Sequence, residues 1–395
     1  MANVIKRGKS YLIRVSDGVG VDGHQIMHSR TWKPEPGMTE RQVEKELNRQ
    51  VVLFEEACRQ NRVGDGSIKF EKFAGQWYKE YVVPNLRERT RARYEQLQKR
   101  TFQAIGHLRL DRITPRHVQS FINNLSEPGV NEKTGGGLSP KTVRHYLSYI
   151  SGVMDYAVKM GMIPDNPCRN VTAPKMDKKE IDCYSLEETA HFLKLLEQEP
   201  LKYQAFFQLA IFGGFRRGEL LGLEWKDIDF DTCLVSVRRT SQYTKAKGVY
   251  TDTTKTESSK RCLKMSDVVM QTLRKYRLEQ NKERLQVGDQ WHNMDRVFTR
   301  WNGLPMHPNT TYLFLERFCT RHDMRRVNVH SFRHLNASLL IGEGTDIRTV
   351  SAALGHSQTS TTLNIYAHTL AEAQASAAES IADKITAKIA SGNDF

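Results

Sequence analysis

The sequence lacks the features of a secreted, membrane-spanning or disulfide-bonded protein. Its longest nearly apolar stretch, Phe206 to Phe215, has ten residues and is interrupted by Gln208, which is too short for a membrane span. The first residues are basic but have no apolar segment behind them, so we predict no secretory signal. The six cysteines are far apart and form no C-x-x-C pair, which indicates reduced thiols in the cytoplasm rather than disulfides or a zinc site.

The motifs of nucleotide-dependent and metal-dependent enzymes are also missing. The chain has no G-x-x-x-x-G-K-[ST] loop, no H-E-x-x-H motif and no acidic cluster at metal-ligand spacing. Its nearest carboxylate pair is Asp227 and Asp229, which we place in a surface turn. These absences argue against an ATP-driven motor, and we predict neither a cofactor nor a metal.

Positive charge is what the sequence has in excess. Its 59 Lys and Arg against 45 Asp and Glu give a net charge of +14. Between positions 85 and 120, nine basic residues face three acidic ones. Such a balance favours a polyanionic partner, although charge alone also allows a ribosome-associated protein or a basic enzyme.

The first of three regions predicts a small sheet followed by a helix. Tyr11, Ile13 and Val15 alternate with polar residues, as in a half-buried strand, and nearby Asp-Gly pairs indicate turns. Thr39 and Gln42 form a capping-box pattern that opens a helix.

The second region reads as helix throughout. Phe70, Phe73 and Trp77 recur at helical spacing and form an apolar stripe. Two more helices are predicted where a capping hydroxyl precedes a proline, at Thr114-Pro115 and Ser139-Pro140.

The third region is mainly helical with a small antiparallel sheet. The Ser185 to Glu188 capping box opens its first helix. Residues 233–239 and 261–265 alternate as strands, and a polar stretch over 251–260 is predicted to join them. The fold class is therefore α+β, mainly helical.

Four segments of the third region form an ordered set: Gly213 to Trp225, Thr254 to Arg261, His330 to His334, and Leu354 to His356 with Tyr366 ten residues later. Each segment alone has an ordinary structural interpretation; Arg216, for example, could simply pair with Glu219 at i+3. Together the segments resemble the tyrosine recombinases, and specifically the phage and conjugative-transposon integrases. Phe332 and Leu335 depart from the residues usual in that family, and we expect both to be tolerated.

The resemblance implies a catalytic set that breaks and rejoins DNA through a 3′-phosphotyrosyl link, without metal or ATP. Two guanidiniums, Arg216 and Arg333, would neutralise the non-bridging phosphate oxygens. Tyr366 would be the nucleophile; because a phenol has a pKa near 10 it needs a base, and we assign His330.

Three further roles come from the same resemblance. Lys255 would protonate the departing 5′ oxygen as a general acid, with Lys260 as the less favoured candidate. His356 would donate a hydrogen bond to the phosphate. Glu219 would orient the site without reacting.

The resemblance also implies three domains: an arm-type DNA-binding domain at 1–62, a helical core-binding domain at 67–170, and a catalytic domain with a C-terminal tail helix at 180–395. The predicted DNA contacts are Lys6, Arg7 and Arg14 in the first domain and Arg89, Arg91, Lys141 and Arg144 in the second.

The expected partners are double-stranded DNA, at core and arm sites, and three further copies of the chain in a tetramer. DNA-bending or excision factors are possible accessory proteins; a membrane is not expected, and the cytoplasmic nucleoid is the predicted location. Ile381, Ile385 and Ile389 form one face of the tail helix, which either docks on a neighbour or folds back on its own domain. A type IB topoisomerase and a catalytically inactive DNA-binding regulator are the alternative functions.

Overall fold

The computed structural model describes residues 2–19, 25–59, 67–176, 182–253 and 260–390. The chain divides into two compact units, 1–178 and 179–395. Among the helices in these ranges, none has the length and apolar character of a membrane span.

The first unit begins with a three-stranded antiparallel sheet in the order β1-β2-β3, as the sequence predicts. Its elements are β1 (Asn3–Arg7), β2 (Ser10–Val19), β3 (Gln25–Trp32) and helix α1 (Glu40–Arg59). Ile13 and Val15 project from one face of the sheet onto Phe54 and Cys58 of α1. This small core fixes which face of the sheet the helix covers, since successive side chains alternate between faces.

The rest of the first unit is a helical bundle. Its helices are α2 (Phe70–Trp77), α3 (Val83–Asn85), α4 (Glu88–Thr101), α5 (Pro115–Asn124) and α6 (Pro140–Lys159), with π-helical turns at Tyr78–Val82 and Phe102–Gly106. The side chains of Thr114 and Ser139 accept hydrogen bonds from the backbone N–H groups of His117 and Thr142. The two hydroxyl-proline starts predicted from sequence are therefore confirmed.

The second unit is mainly helical. Its helices are α7 (Leu186–Leu196), α8 (Leu201–Gly213), α9 (Arg217–Leu220), α10 (Asp267–Val287), α11 (Pro308–Arg321), α12 (Ser331–Gly342), α13 (Ile347–Leu354), α14 (Thr359–Ile365) and α15 (Ala367–Ala390). Ser185 and Glu188 form the predicted capping box at the start of α7.

Two small sheets lie within this second unit. The strands are β4 (Ile228–Asp229), β5 (Leu234–Val237), β6 (Arg239–Thr244), β7 (Gly248–Thr253) and β8 (Arg261–Lys264). Strands β5 and β8 pair antiparallel, which confirms the predicted strands. The predicted polar connection contains regular structure as well, because β6 and β7 form a hairpin between β5 and β8.

Aromatic side chains fill the core of the second unit. The ring of Phe332 lies 5.1 Å from that of Phe192 and 5.5 Å from that of Phe207. Leu335 is buried in the same cluster. Both departures from the family pattern are thus apolar side chains at core positions, where hydrophobic residues of about the right size are tolerated.

The placement of the Asp227 and Asp229 pair in a surface turn is wrong, because Asp227 ends a short 3-10 helix and Asp229 belongs to β4. Asp229 is exposed, but Asp227 is buried and forms an ion pair with Arg239. The error arises because Arg239 lies twelve positions away, on β6, where no local pattern connects the two residues.

Candidate active site

The first arginine of the site lies where α8 turns into α9. Gly214 ends α8 with a φ of 59°, and Arg216 occupies the N-terminal boundary of α9. The Nη1 of Arg216 donates to Oε1 of Glu219 at 2.7 Å, and its backbone N–H donates to Oε2 at 2.9 Å. Its Nη2 donates to the carbonyl of Gly355 at 2.9 Å. The i+3 pairing with Glu219 is therefore present, and it orients Arg216.

Glu219 holds a second arginine that the sequence analysis did not single out. Arg261, at the start of β8, donates from Nη2 to Oε2 of Glu219 at 2.8 Å and from Nε to the carbonyl of Ala353 at 2.6 Å. Burial alone would raise the pKa of Glu219. The hydrogen bond and charge of Arg261, with the charge of Arg216, outweigh that effect and lower the pKa. Glu219 is therefore a buried carboxylate that stays ionised.

Arg333 lies at the centre of the site and is 2% exposed. Its Nη1 donates to the carbonyl of Gly214 at 2.7 Å, and its Nη2 donates to that of Leu354. The same Nη2 lies 3.0 Å from Nε2 of His356, whose Nδ1 is 2.8 Å from Oγ1 of Thr362. Through these contacts, α8, α12, α13 and α14 meet around the guanidinium of Arg333.

The charges around Arg333 favour the binding of an anion. Burial lowers the pKa of Arg333 and the charge of Arg216 lowers it further, whereas Glu219 acts in the opposite direction. Burial, followed by the charges of Arg333 and Arg216, lowers the pKa of His356 to about 4. His356 is thus neutral at pH 7, and a bound phosphate would relieve the uncompensated positive charge around it.

Tyr366 lies at the end of α14 and is 1% exposed. Its ring packs among apolar side chains that include Ile341 and Leu354. Its Oη lies 2.8 Å from Nδ1 of His334, and burial raises the pKa of the phenol to about 12. The hydroxyl is therefore protonated at neutral pH and already hydrogen-bonded to a histidine.

His330 lies one turn before that histidine, at the N-terminal boundary of α12. Its ring centroid is 4.8 Å from that of His334, in an edge-to-face arrangement. Burial and the neighbouring charge of His334 lower the pKa of His330 to about 4. The sequence analysis assigned the base to His330, whereas the histidine hydrogen-bonded to the phenol is His334. Its position in the His330 to His334 segment was the available signal.

The structure thus groups Arg216, His330, Arg333, His356 and Tyr366 around one site. Lys255 lies outside the described residues. Lys260, the less favoured general acid, is exposed immediately before β8.

The predicted arm-site residues divide between the two faces of the N-terminal sheet. Arg7 and Arg14 are exposed on the face opposite Ile13, the residue that packs on α1. Lys6 pairs with Tyr11 and therefore lies on the helix-facing side, where its Nζ is 5.9 Å from the centre of the Tyr11 ring. Only the first two belong to the open face of the sheet.

The predicted core-site residues lie at the starts of α4 and α6. Arg89 and Lys141 are exposed. Arg91 donates from Nε to the carbonyl of Leu86 at 2.6 Å, and Arg144 donates from Nε to that of Pro174 at 2.9 Å. Both side chains therefore already make contacts within the first unit, and Nη1 of Arg91 also lies 4.0 Å from Oε2 of Glu88.

Comparison with known proteins identifies the family. Residues 184–373 match the phage integrase family, and 69–126 match the phage integrase N-terminal SAM-like domain. A tyrosine recombinase XerC-like protein of Caldanaerobacter subterraneus is 30% identical over 283 residues, 67% of this chain and 70% of that protein. The ICEBs1 integrase of Bacillus subtilis is 28% identical over 274 residues, 69% of this chain and 72% of that integrase.

Solved structures agree with this assignment at the level of the fold. The Tn1549 transposon integrase in complex with a circular intermediate DNA has a TM-score of 0.65 at 20% identity, covering 78% of this chain and 99% of that one. The chain belongs to the phage integrase family of tyrosine recombinases. Within that family it is a site-specific recombinase of the integrase type.

Proposed function

We propose that this integrase inserts and excises a mobile element by conservative strand exchange between two DNA sites, with Tyr366 as the nucleophile. The observation that carries the proposal is the convergence of Arg216, Arg333 and His356 beside a buried tyrosine. Cations in a pocket that excludes water stabilise a pentavalent phosphate far better than cations in solution. The extra N-terminal sheet favours an integrase over a topoisomerase that relaxes supercoils without pairing sites.

In the proposed step, Oη of Tyr366 attacks the scissile phosphorus and the 5′ oxygen leaves. Arg216 and Arg333 bind the non-bridging oxygens. His356 would donate to the same phosphate from Nε2 once Arg333 turns toward the oxyanion, in the tautomer that carries its proton on Nε2 and accepts from the Thr362 hydroxyl at Nδ1. Lys255 protonates the leaving oxygen. The phosphotyrosyl link retains the bond energy, so the 5′ hydroxyl of a second strand reverses the step without ATP.

The proposed DNA surface has two parts. Burial and the nearby charges of Arg93 and Lys141 lower the pKa of His145, which places these basic side chains together across α4 and α6. With Arg89, Arg91 and Arg144 they would follow the backbone of the core site. The open face of the N-terminal sheet, with Arg7 and Arg14, would contact the arm site, and Lys6 would lie at its margin.

We propose that the chain works as a tetramer on paired sites in the cytoplasmic nucleoid, with DNA-bending or excision factors as accessory partners. Ile381 and Ile385 of the tail helix are 59% and 56% exposed, so in this structure the helix is not folded back over them. The side chain of Ile389 lies outside the described part of the chain. Docking on a neighbouring copy would bury the apolar face of the helix.

The second unit contains a groove that suits this docking. It has a volume of about 360 Å³ and lies between α7, α8 and α12. Leu186, Phe212 and Leu339 in its wall are exposed apolar side chains. A tail helix from a neighbour would cover them and gain hydrophobic stabilisation on both surfaces.

The test uses duplex DNA carrying the junction of the excised circle, nicked so that cleavage traps the covalent complex. We expect an adduct from the natural chain and from Tyr312→Phe, which alters an exposed tyrosine on α11, but none from Tyr366→Phe. An adduct that survives Tyr366→Phe contradicts the proposed nucleophile. Absence of any adduct supports the inactive regulator, and relaxation of supercoils without joining of two sites supports the topoisomerase.

A further inference from the structure

Two histidines flank Arg333 in the sequence, and their side chains occupy different places. His334 contacts the phenol of Tyr366 through Nδ1 at 2.8 Å. His330 instead stands against the ring of His334, with centroids 4.8 Å apart. The nucleophile and a potential base are therefore already within hydrogen-bond reach, and a second ring lies beside that base.

The protonation states of both groups are compatible with a hydrogen bond donated by the phenol to the imidazole. Burial, with the charge of Arg333, lowers the pKa of His334, so its imidazole is neutral at pH 7. The phenol, whose pKa is raised, carries its proton, and its O–H can donate to Nδ1 of the neutral ring. The imidazole proton then resides on Nε2. This is the arrangement that a general base requires before proton transfer.

We propose that His334 is a further catalytic residue, the acceptor of the Tyr366 proton during DNA cleavage, and that His330 positions its ring. The inference rests on the proposed function, in which Tyr366 is the nucleophile. It assigns the role of general base to His334 instead of His330.

The proposed step is balanced in atoms and charge. As the Oη–P bond forms, the phenol proton moves to Nδ1 and gives an imidazolium, while the P–O5′ bond breaks and the leaving oxygen takes a proton from Lys255. In the reverse step the imidazolium returns its proton to the departing phenol oxygen. Transfer is concerted with bond formation, because the phenol becomes acidic enough only as its oxygen bonds to phosphorus.

The groups around His334 determine how it titrates. The ring of His330 and the guanidinium of Arg333 face it on α12, His356 approaches from the segment after α13, and Tyr366 from the end of α14. Cys183, before α7, acts on the same phenol. Burial and the charge of Arg333 disfavour an imidazolium in the free protein, and the incoming phosphate diester offsets that effect.

The experiment isolates nucleophile activation from leaving-group protonation. The probe is the circle-junction duplex with sulfur replacing the 5′-bridging oxygen at the cleaved bond, since a thiolate leaves without a general acid. Cleavage rates from pH 5 to 9 are compared for the full-length natural chain, His334→Asn and His330→Asn. Asparagine places a polar atom near the position of Nδ1 but cannot accept the proton. His191→Asn, exposed on α7, is the matched control.

We expect His334→Asn to lower the rate about 100-fold or more at pH 7, with unchanged DNA affinity, and to abolish the rise in rate with pH that titration of the base produces. His330→Asn should retain that rise, and His191→Asn should match the natural chain. The inference is overturned if His334→Asn keeps the natural pH profile, whatever its rate, or if the rise disappears in His330→Asn instead. An adduct that survives Tyr366→Phe would contradict the proposed function itself.

A second measurement does not depend on the variant folding. Nitrogen NMR of the natural chain with labelled histidine reports which ring nitrogen of His334 carries the proton, with His334→Gln used to assign the signal. We expect an unprotonated Nδ1 in the free protein. If Nδ1 carries the proton and donates to the phenol oxygen, His334 cannot accept the Tyr366 proton and the inference fails. Should His334→Gln be insoluble, assignment follows from a through-bond experiment in the natural chain.

Discussion

Among individual residues, the site is defined by an excess of cations over anions. Of the charged groups acting most strongly on Arg333, Arg216 and Arg261 are cations and Glu219 is a carboxylate. Two of the three guanidiniums bind that one carboxylate. The surplus charge remains directed at the place where a phosphate would bind, so Glu219 orients the arginines without neutralising the site.

The variant Glu219→Gln should lower the free energy of unfolding by about 3–5 kcal/mol, because it leaves the buried Arg261 without its anion. Cleavage should fall as well, since Arg216 loses its orientation. Thermal unfolding and adduct formation measure the two effects. Glu197→Gln, exposed at the end of α7, is the control.

The carboxylate of Glu219 should also make the stability of the protein depend on pH. Its folded-state pKa is lowered, so its stabilisation is fully present above the ordinary glutamate pKa, about 4.3, and is lost as the pH falls through the folded-state value. The stability difference between the natural chain and Glu219→Gln should therefore shrink at acid pH. A difference that stays constant from pH 7 to pH 3 would contradict this assignment.

How much of the site the sequence predicts depends on the distance between partners along the chain. Arg216 and Glu219 are three positions apart on one helix start, so their pairing follows from helix geometry. Arg261 is 42 positions from Glu219, and His334 is 32 positions from Tyr366. These contacts depend on how β8, α12 and α14 pack, which no local pattern specifies.

Among the helices and strands, the predictions succeed where the signal is local. The caps at Ser139 and Ser185 involve residues within one turn, and both are present. The β6-β7 hairpin was missed because its strands are short and largely polar, with little of the apolar alternation that marks a half-buried strand. The π-helical turns of the first unit likewise have no signature in sequence.

A variant at Gly214, which connects α8 and α9, tests how these helices position the site. Gly214 adopts a left-handed φ of 59°, and a Cβ there would lie 2.5 Å from Oδ1 of Asn336. We expect Gly214→Ala to lower stability by about 1–3 kcal/mol through strain and overpacking. Cleavage should fall too, because the Gly214 carbonyl, which accepts from Arg333, would shift.

Gly344→Ala is the matched control for that variant. Gly344 also has a positive φ, 77°, but a Cβ there meets nothing within 4 Å. It should lose stability and retain cleavage, with unfolding and adduct formation measured on both proteins. If the two variants cleave equally well, the carbonyl of Gly214 does not position Arg333.

For the whole molecule, the net charge of +14 is consistent with a chain that holds DNA through many phosphate contacts. The positions of the basic residues in the fold are more informative than the net charge. The basic residues of α4 and α6 lie together, the open sheet face carries Arg7 and Arg14, and of the arginines proposed for catalysis Arg333 is buried and Arg216 half-buried. In the proposed function, each of these surfaces would bind a different stretch of the DNA backbone.

The exposed isoleucines of the tail helix, α15, lead to a prediction about assembly. Replacing both Ile381 and Ile385 by Glu should leave one copy bound to a half-site with natural affinity and abolish pairing of two sites, because the apolar face could no longer dock on a neighbour. Native gels with half-site and full-site DNA separate the two outcomes.

The control places the same charges on α15 away from its apolar face, as Ser380→Glu with Ala387→Glu. Helical geometry puts these positions roughly 100–160° around the helix from Ile381 and Ile385, so docking should survive and site pairing should continue. Loss of pairing in both double variants would indicate that added negative charge, rather than the lost apolar face, disrupts assembly. Retention of pairing in both would mean that the exposed isoleucines serve no contact between copies and that the tetramer is held together elsewhere.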